Sequence, residues 1–144
     1  MARSGLKIIP EEQFGLEKLA SDLQDKSIDY FFVWYKKQPI GFLKVNYEAA
    51  FADFNKKTTS ELEKMYIFPQ YKDKGIGKIA LESVINTILR KKKKILFLDV
   101  LDTNEKAILF YEKSGFKFHS KARLKYVYFK DELKGLNRMY MELT

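Results

Sequence analysis

Between Glu61 and Val100 the chain passes from an alternating segment, through a turn bearing Gly75 and Gly77, into a helix-period stripe and out into a continuous apolar run. In the first segment Glu61, Glu63, Met65 and Ile67 fall on one side of a strand, and Leu62, Lys64 and Tyr66 on the other. Beyond the glycines, Ile76, Ile79, Ala80, Val84 and Ile88 recur at helical spacing, while Leu81, Ile85 and Leu89 widen the stripe toward all-round burial. Such a helix packs flat on a sheet. Ile95 to Val100 has the composition of an interior strand covered on both faces. Strand, helix and strand in this order predict a right-handed parallel crossover, which puts the chain in the mixed α/β class with parallel strands at the centre of its sheet.

The flanking segments extend that sheet. Leu6 to Ile9 reads as a short strand, and Pro10 suits a helix start before Leu16, Leu19, Ala20 and Leu23, so a helix is predicted over 11–25. Tyr30 to Lys36 and Ile40 to Tyr47 form a hairpin about a turn at Lys37 to Pro39. Residues 48–60, rich in Lys, Thr and Asn, read as a loop or an irregular strand end. Asp102 or Thr103 is expected to cap a helix that ends at Gly115. Residues 116–129 and 138–143 supply two further strands, expected to be antiparallel and separated by Lys130 to Asn137. No linker, repeat or low-complexity tract interrupts the chain, and the 144 residues are expected to form one domain.

Composition narrows the chemistry. There is no cysteine and a single histidine, His119, so thiol nucleophiles, disulfides, histidine triads and metal clusters are set aside, and Glu, Asp, Tyr, Lys and the backbone remain. No apolar run approaches a membrane span and the N-terminus lacks a secretory stretch, so the cytoplasm is the expected compartment. A net charge of +8 favours anionic partners. The cationic run Arg90 to Lys94 falls at the end of the predicted helix, where cations offset the helix dipole in solvent, and that reading is preferred to a nucleic-acid patch.

Two motifs carry the functional signal. In Pro69-Gln70-Tyr71-Lys72-Asp73-Lys74-Gly75-Ile76-Gly77-Lys78, a strand gives way to a glycine turn and then a helix, so bare N–H groups and the positive helix end converge where a phosphate would sit. Downstream, Asn104, Ala107, Tyr111, Gly115 and Phe116 place an amide, a phenol and a glycine on one short helix. Correctly ordered and spaced, the pair resembles the acyl-coenzyme A loop and the following helix of the GNAT N-acetyltransferase superfamily. Lys72 stands where that family carries Gln or Arg, a departure that keeps the positive charge. The likeness runs from about Tyr30 to the C-terminus and is best over 61–118, whereas residues 1–29 look abbreviated beside the usual strand and two helices.

The resemblance implies a three-layer α-β-α fold with a mixed six- or seven-stranded sheet whose parallel central strands splay apart. It implies acetyl-CoA as co-substrate and no metal. The backbone of Met65, Tyr66 and Ile67 would pair with the pantetheine arm, amides of Lys72, Asp73, Lys74, Gly75, Ile76, Gly77 and Lys78 would hold the pyrophosphate, and Asn104 would bond the arm from the far side. Tyr111 would stand near the thioester sulfur and donate a proton to the departing thiolate.

An alkyl ammonium of pKa about 10.4 must lose a proton before it attacks, at a cost of about 4 to 5 kcal/mol at neutral pH. Glu61 is the first candidate base and Glu63 the second. The acceptor is expected to be a primary amine attacking directly in a ternary complex, since an acetyl-cysteine intermediate is impossible here. Glu61 to Ile67 and Arg138 to Leu143 also look like the bacterial polyamine acetyltransferase branch, with Glu48, Glu61 and Glu63 offering local acidity. Two other readings stay open: a basic nucleic-acid-binding domain using Lys91 to Lys94, and a coenzyme A sensor without turnover. Surface aromatics on the C-terminal strands are compatible with a homodimer.

Overall fold

A computed structural model of the chain describes residues 12–123 and 135–143. The strand expected at Leu6 to Ile9, and the part of the later strand expected over 124–129, lie outside them. The elements run α1 (Glu12–Gln24), β1 (Ile28–Tyr35), β2 (Gln38–Asn46), β3 (Thr59–Ile67), α2 (Ile76–Arg90), β4 (Ile95–Leu101), α3 (Glu105–Lys113), β5 (Lys117–Arg123) and β6 (Gly135–Glu142). They build a six-stranded sheet in the order β1-β2-β3-β4-β6-β5. The pair β3–β4 is parallel, and every other neighbouring pair is antiparallel. This is the mixed class the crossover predicted.

The hairpin joins β1 to β2 through Lys36 and Lys37, whose φ values of 50° and 68° give the turn a twist that matches its strands. The α3 helix is capped by Asn104 rather than by Asp102 or Thr103, because the Asn104 Oδ1 accepts the Ala107 N–H at 3.1 Å. It ends at Gly115, φ 109°, with Phe116 N–H returning to the Tyr111 carbonyl and Gly115 N–H to that of Glu112.

Helices α2 and α3 cover one face of the sheet. There Leu81, Val84 and Ile88 of α2 pack on Leu43, Val45, Leu62, Leu96 and Leu98, with Tyr111 and Phe110 of α3 alongside. The apolar stripe of α2 is narrower than its sequence implied, since Ile79 is 68% exposed. On the opposite face Ala49 and Phe51, from the segment expected to be a loop or irregular strand end, pack with Ile95 and Phe97, and Asp22 ties α1 to the same side through Lys44. Leu96 and Leu98 thus serve one core while Ile95 and Phe97 serve the other, as a strand buried on both faces requires. No helix among the described residues is long and apolar enough to cross a membrane.

Candidate active site

Two irregularities of β3 make the site. On its β4 side the pairing covers only Thr59 with Ile95, Ser60 with Leu96 and Glu61 with Phe97, after which both strands continue without meeting. A wedge therefore opens past Glu61, with Leu62 to Ile67 on one wall and the end of β4 on the other. On its β2 side Lys44 faces Lys64 while Val45 faces Leu62, so Glu63 is the extra residue of a bulge. The bulge resets the alternation. Leu62 and Met65 both join the core beneath α2, where an unbroken strand would have set them on opposite faces as the sequence predicted.

The wedge points at the start of α2. The short turn Pro69–Tyr71 ends with Lys72 donating its N–H to the Pro69 carbonyl at 3.1 Å. Lys72 is thereby corrected as a main-chain donor, and only its side chain is available. Among the described residues no carbonyl takes the N–H of Asp73, Lys74, Gly75, Ile76, Gly77 or Lys78, and the first bond onto the turn is Ile79 N–H to the Gly75 carbonyl. Asp73 and Gly75 both have left-handed backbones, with φ of 63° and 79°, a geometry in which successive amides can face one anion. A Cβ on Gly77 would lie 3.5 Å from Met65 Cε and 3.6 Å from Phe110 Cζ, so one methyl makes ordinary contacts and a longer side chain has to push past them or turn into the space before the amides.

Glu61 sits where the wedge begins. Burial, followed by the charges of Glu63 and Asp99, pushes its carboxyl up to about 7, while Arg138 and Lys44 restrain the rise. Its surroundings form a chain of ion pairs that the sequence reading did not include. Lys44, 1% exposed, lies 2.7 Å from Asp22 and 2.9 Å from Glu63. Burial alone would lower its pKa, but the bonds to Asp22 and Glu63 and the Glu63 charge outweigh that and hold it above its ordinary value. Arg138 grips Asp99 with two bonds of 2.7 and 2.8 Å, and its guanidinium lies over Phe97 and Phe51. The signal was Lys44 itself, a lone cation between Leu43 and Val45 in an apolar strand. Arg138 stood likewise amid the alternation of β6.

On α3, Tyr111 packs edge-on against Phe110 and Phe116, and burial pushes its phenol up to about 12. Its hydroxyl makes no hydrogen bond with any described residue. Asn104, the α3 cap, uses its side-chain oxygen in the fold and keeps its NH2 to donate. Glu48, by contrast, faces Lys93 at 3.8 Å, in the company of the cationic run, and adds no acidity to the Glu61 group.

Residues 5–116 match the family model described as the acetyltransferase (GNAT) family. A spermine/spermidine N(1)-acetyltransferase of Bacillus subtilis (strain 168) is 27% identical over 88 residues, a stretch spanning 60% of this chain and 58% of that one. The match thus covers less than two thirds of that relative's length. Among solved structures, a GNAT family acetyltransferase from Elizabethkingia anophelis with acetyl-CoA bound superposes with a TM-score of 0.71 at 19% identity, covering 95% of this chain and 92% of that one. The ribosomal-protein-S18-alanine N-acetyltransferase of Escherichia coli gives a TM-score of 0.71 at 22% identity, over 89% and 76% of the two chains. At such identities the structural likeness speaks for the fold. With the family model covering most of its length, the chain belongs to the acetyltransferase (GNAT) family.

Proposed function

We propose that this protein transfers an acetyl group from acetyl-CoA to a primary amine in a direct ternary complex. The observation that carries the reading is the alignment of three features: unengaged amides from Asp73 to Lys78 at the start of α2, the open edge of β3 from Leu62 to Ile67, and Glu61 where the two strands part. A diphosphate would take the amides and the positive helix end, with Lys72, Lys74 and Lys78 nearby as cations. The attached arm would lie as an extra strand along the backbone of Met65, Tyr66 and Ile67, with the Asn104 NH2 donating across the wedge. The residues fit such a guest because a main-chain edge and a main-chain cradle are what its amides and phosphates need.

Acetyl-CoA supplies an activated thioester: the amine nitrogen bonds to its carbonyl carbon, the carbon–sulfur bond breaks, and an N-acetylated amine and a free thiol leave. The chain's part is to move protons and to exclude water. Glu61, balanced near neutrality by its neighbours, accepts a proton from the acceptor ammonium and passes it to solvent. Glu63 is the weaker candidate, since its carboxylate is held by Lys44 at 2.9 Å. Tyr111 stays protonated at neutral pH, and its hydroxyl, bonded to no described residue, would donate to sulfur.

Thiol release measured with acetyl-CoA and a panel of primary amines tests the reading. Release that depends on both partners is expected. Acetyl-CoA binding without release for any amine would leave a sensor, and salt-sensitive binding to nucleic acid without acetyl-CoA affinity would favour the nucleic-acid-binding reading.

A further inference from the structure

The face of the sheet that carries Glu61 has most of its acidity already spent. Asp22 and Glu63 share Lys44, and Asp99 is gripped by Arg138. The bulge at Glu63 also turns Lys64, which is exposed, to the same side as Lys44. Of these four carboxylates only Glu61 has no cation bonded to it among the described residues, so where the wedge begins the ion-pair group offers one carboxylate to one ammonium. Further ammonium groups on the same acceptor would have to leave water beside Lys64 and under a net charge of +8.

What the face offers instead is rings. Tyr30 lies under the Lys44 ammonium, 5.7 Å from ring centre to nitrogen, and the series continues from Tyr30 to Phe42 at 6.2 Å, Phe42 to Tyr66 at 6.3 Å and Tyr66 to Phe68 at 5.8 Å. Phe32 stands opposite Phe42 and is 61% exposed, and Tyr66 is 41% exposed. This strip starts on β1 beside the Lys44 ion pairs and crosses β2 to the end of β3 and Phe68. Partly exposed rings that start beside the ion pairs around one uncommitted acid match a ligand having one charge and an apolar body.

Building on the transferase reading above, we propose that the acceptor is a monoamine whose one ammonium is carried on an aromatic or apolar body, and that it is not a polyamine. The ammonium meets Glu61, and the body lies along the strip begun by Tyr30, Phe42 and Tyr66.

Initial rates of thiol release with acetyl-CoA and 2-phenylethylamine, ethylamine or spermidine decide the matter. The kcat/KM for 2-phenylethylamine is expected to exceed both others by roughly tenfold to a hundredfold. Spermidine as good as or better than 2-phenylethylamine overturns the proposal while leaving the transferase reading intact. No release with any of the three, while acetyl-CoA still raises the melting temperature, overturns the transferase reading and the proposal with it. In Tyr66→Ser the ratio of kcat/KM for 2-phenylethylamine over ethylamine should fall about fivefold or more. An unchanged ratio in that variant, with its thermal unfolding still cooperative, counts against the ring strip.

Discussion

Lys44 and Glu63 meet at 2.9 Å across the bulge of β3, and the same ammonium reaches Asp22 on α1 at 2.7 Å. One buried cation thus ties the first helix to the strand that borders the wedge. Lys44→Met takes the shared cation from buried Asp22 and from the partly exposed Glu63, for which a loss of stability of about 3 kcal/mol is expected. Removing its charge also removes one of the two influences that restrain the Glu61 pKa, so the acid limb of the rate profile should move to higher pH. Denaturant unfolding and a pH profile on the same variant read the two effects separately.

Glu61 titrates near 7 in the fold and near the ordinary carboxylate value when unfolded. As a base it must be ionised, so kcat at saturating amine is expected to rise with pH up to about 7 and then level off. In Glu61→Gln that limb should vanish along with most of the activity. The stability sign is opposite. Between the unfolded and folded pKa values the folded state holds the extra proton, so this group's contribution to stability falls as pH rises through that window. Glu61→Gln should therefore melt higher than the parent at pH 8 and about equally at pH 4. A variant less stable at pH 8 would refute the burial-driven shift.

Tyr111 donates to no described residue, so removing its hydroxyl costs the fold little. Tyr111→Phe is expected to lower kcat by about tenfold to a hundredfold while leaving the KM for acetyl-CoA near the parent value. A matching rise in KM with kcat unchanged would assign the phenol to binding alone.

The crowding of Gly77 by Met65 and Phe110 separates two substitutions. Gly77→Ala should keep the acetyl-CoA-dependent rise in melting temperature, whereas Gly77→Leu should lose it. Gly75→Ala has open space but forces an alanine to a φ of 79°, so a loss of stability of about 1 kcal/mol is expected from the backbone alone. Equal acetyl-CoA binding by the Gly77→Leu variant and its parent would remove the assigned loop.

Period and punctuation carried the fold. The parallel crossover from β3 through α2 to β4, the hairpin and the Gly115 stop of α3 were all legible because each is a local rule, an alternation, a stripe or a left-handed glycine. The bulge at Glu63 was not, since an extra residue leaves no mark in a strand read alone and is defined only by its partner Lys44. Phe51 was missed for a related reason: it is buried by long-range stacking on Phe97 at 4.5 Å, within a segment that has no period. The ion pairs Lys44–Asp22 and Arg138–Asp99 join residues remote in the chain, and only the register of β2 and β6 makes them neighbours. The motif residues, by contrast, announced themselves by spacing.

A sheet whose third and fourth strands part after three paired residues is an unfinished one. If a guest chain lies in the opening, it supplies the absent rungs, so the amides of Leu62 to Ile67 that face the wedge should exchange with deuterium slowly when acetyl-CoA is present and quickly when it is not. The co-substrate would then act as a removable keystone, closing the sheet when it binds and reopening it when it leaves.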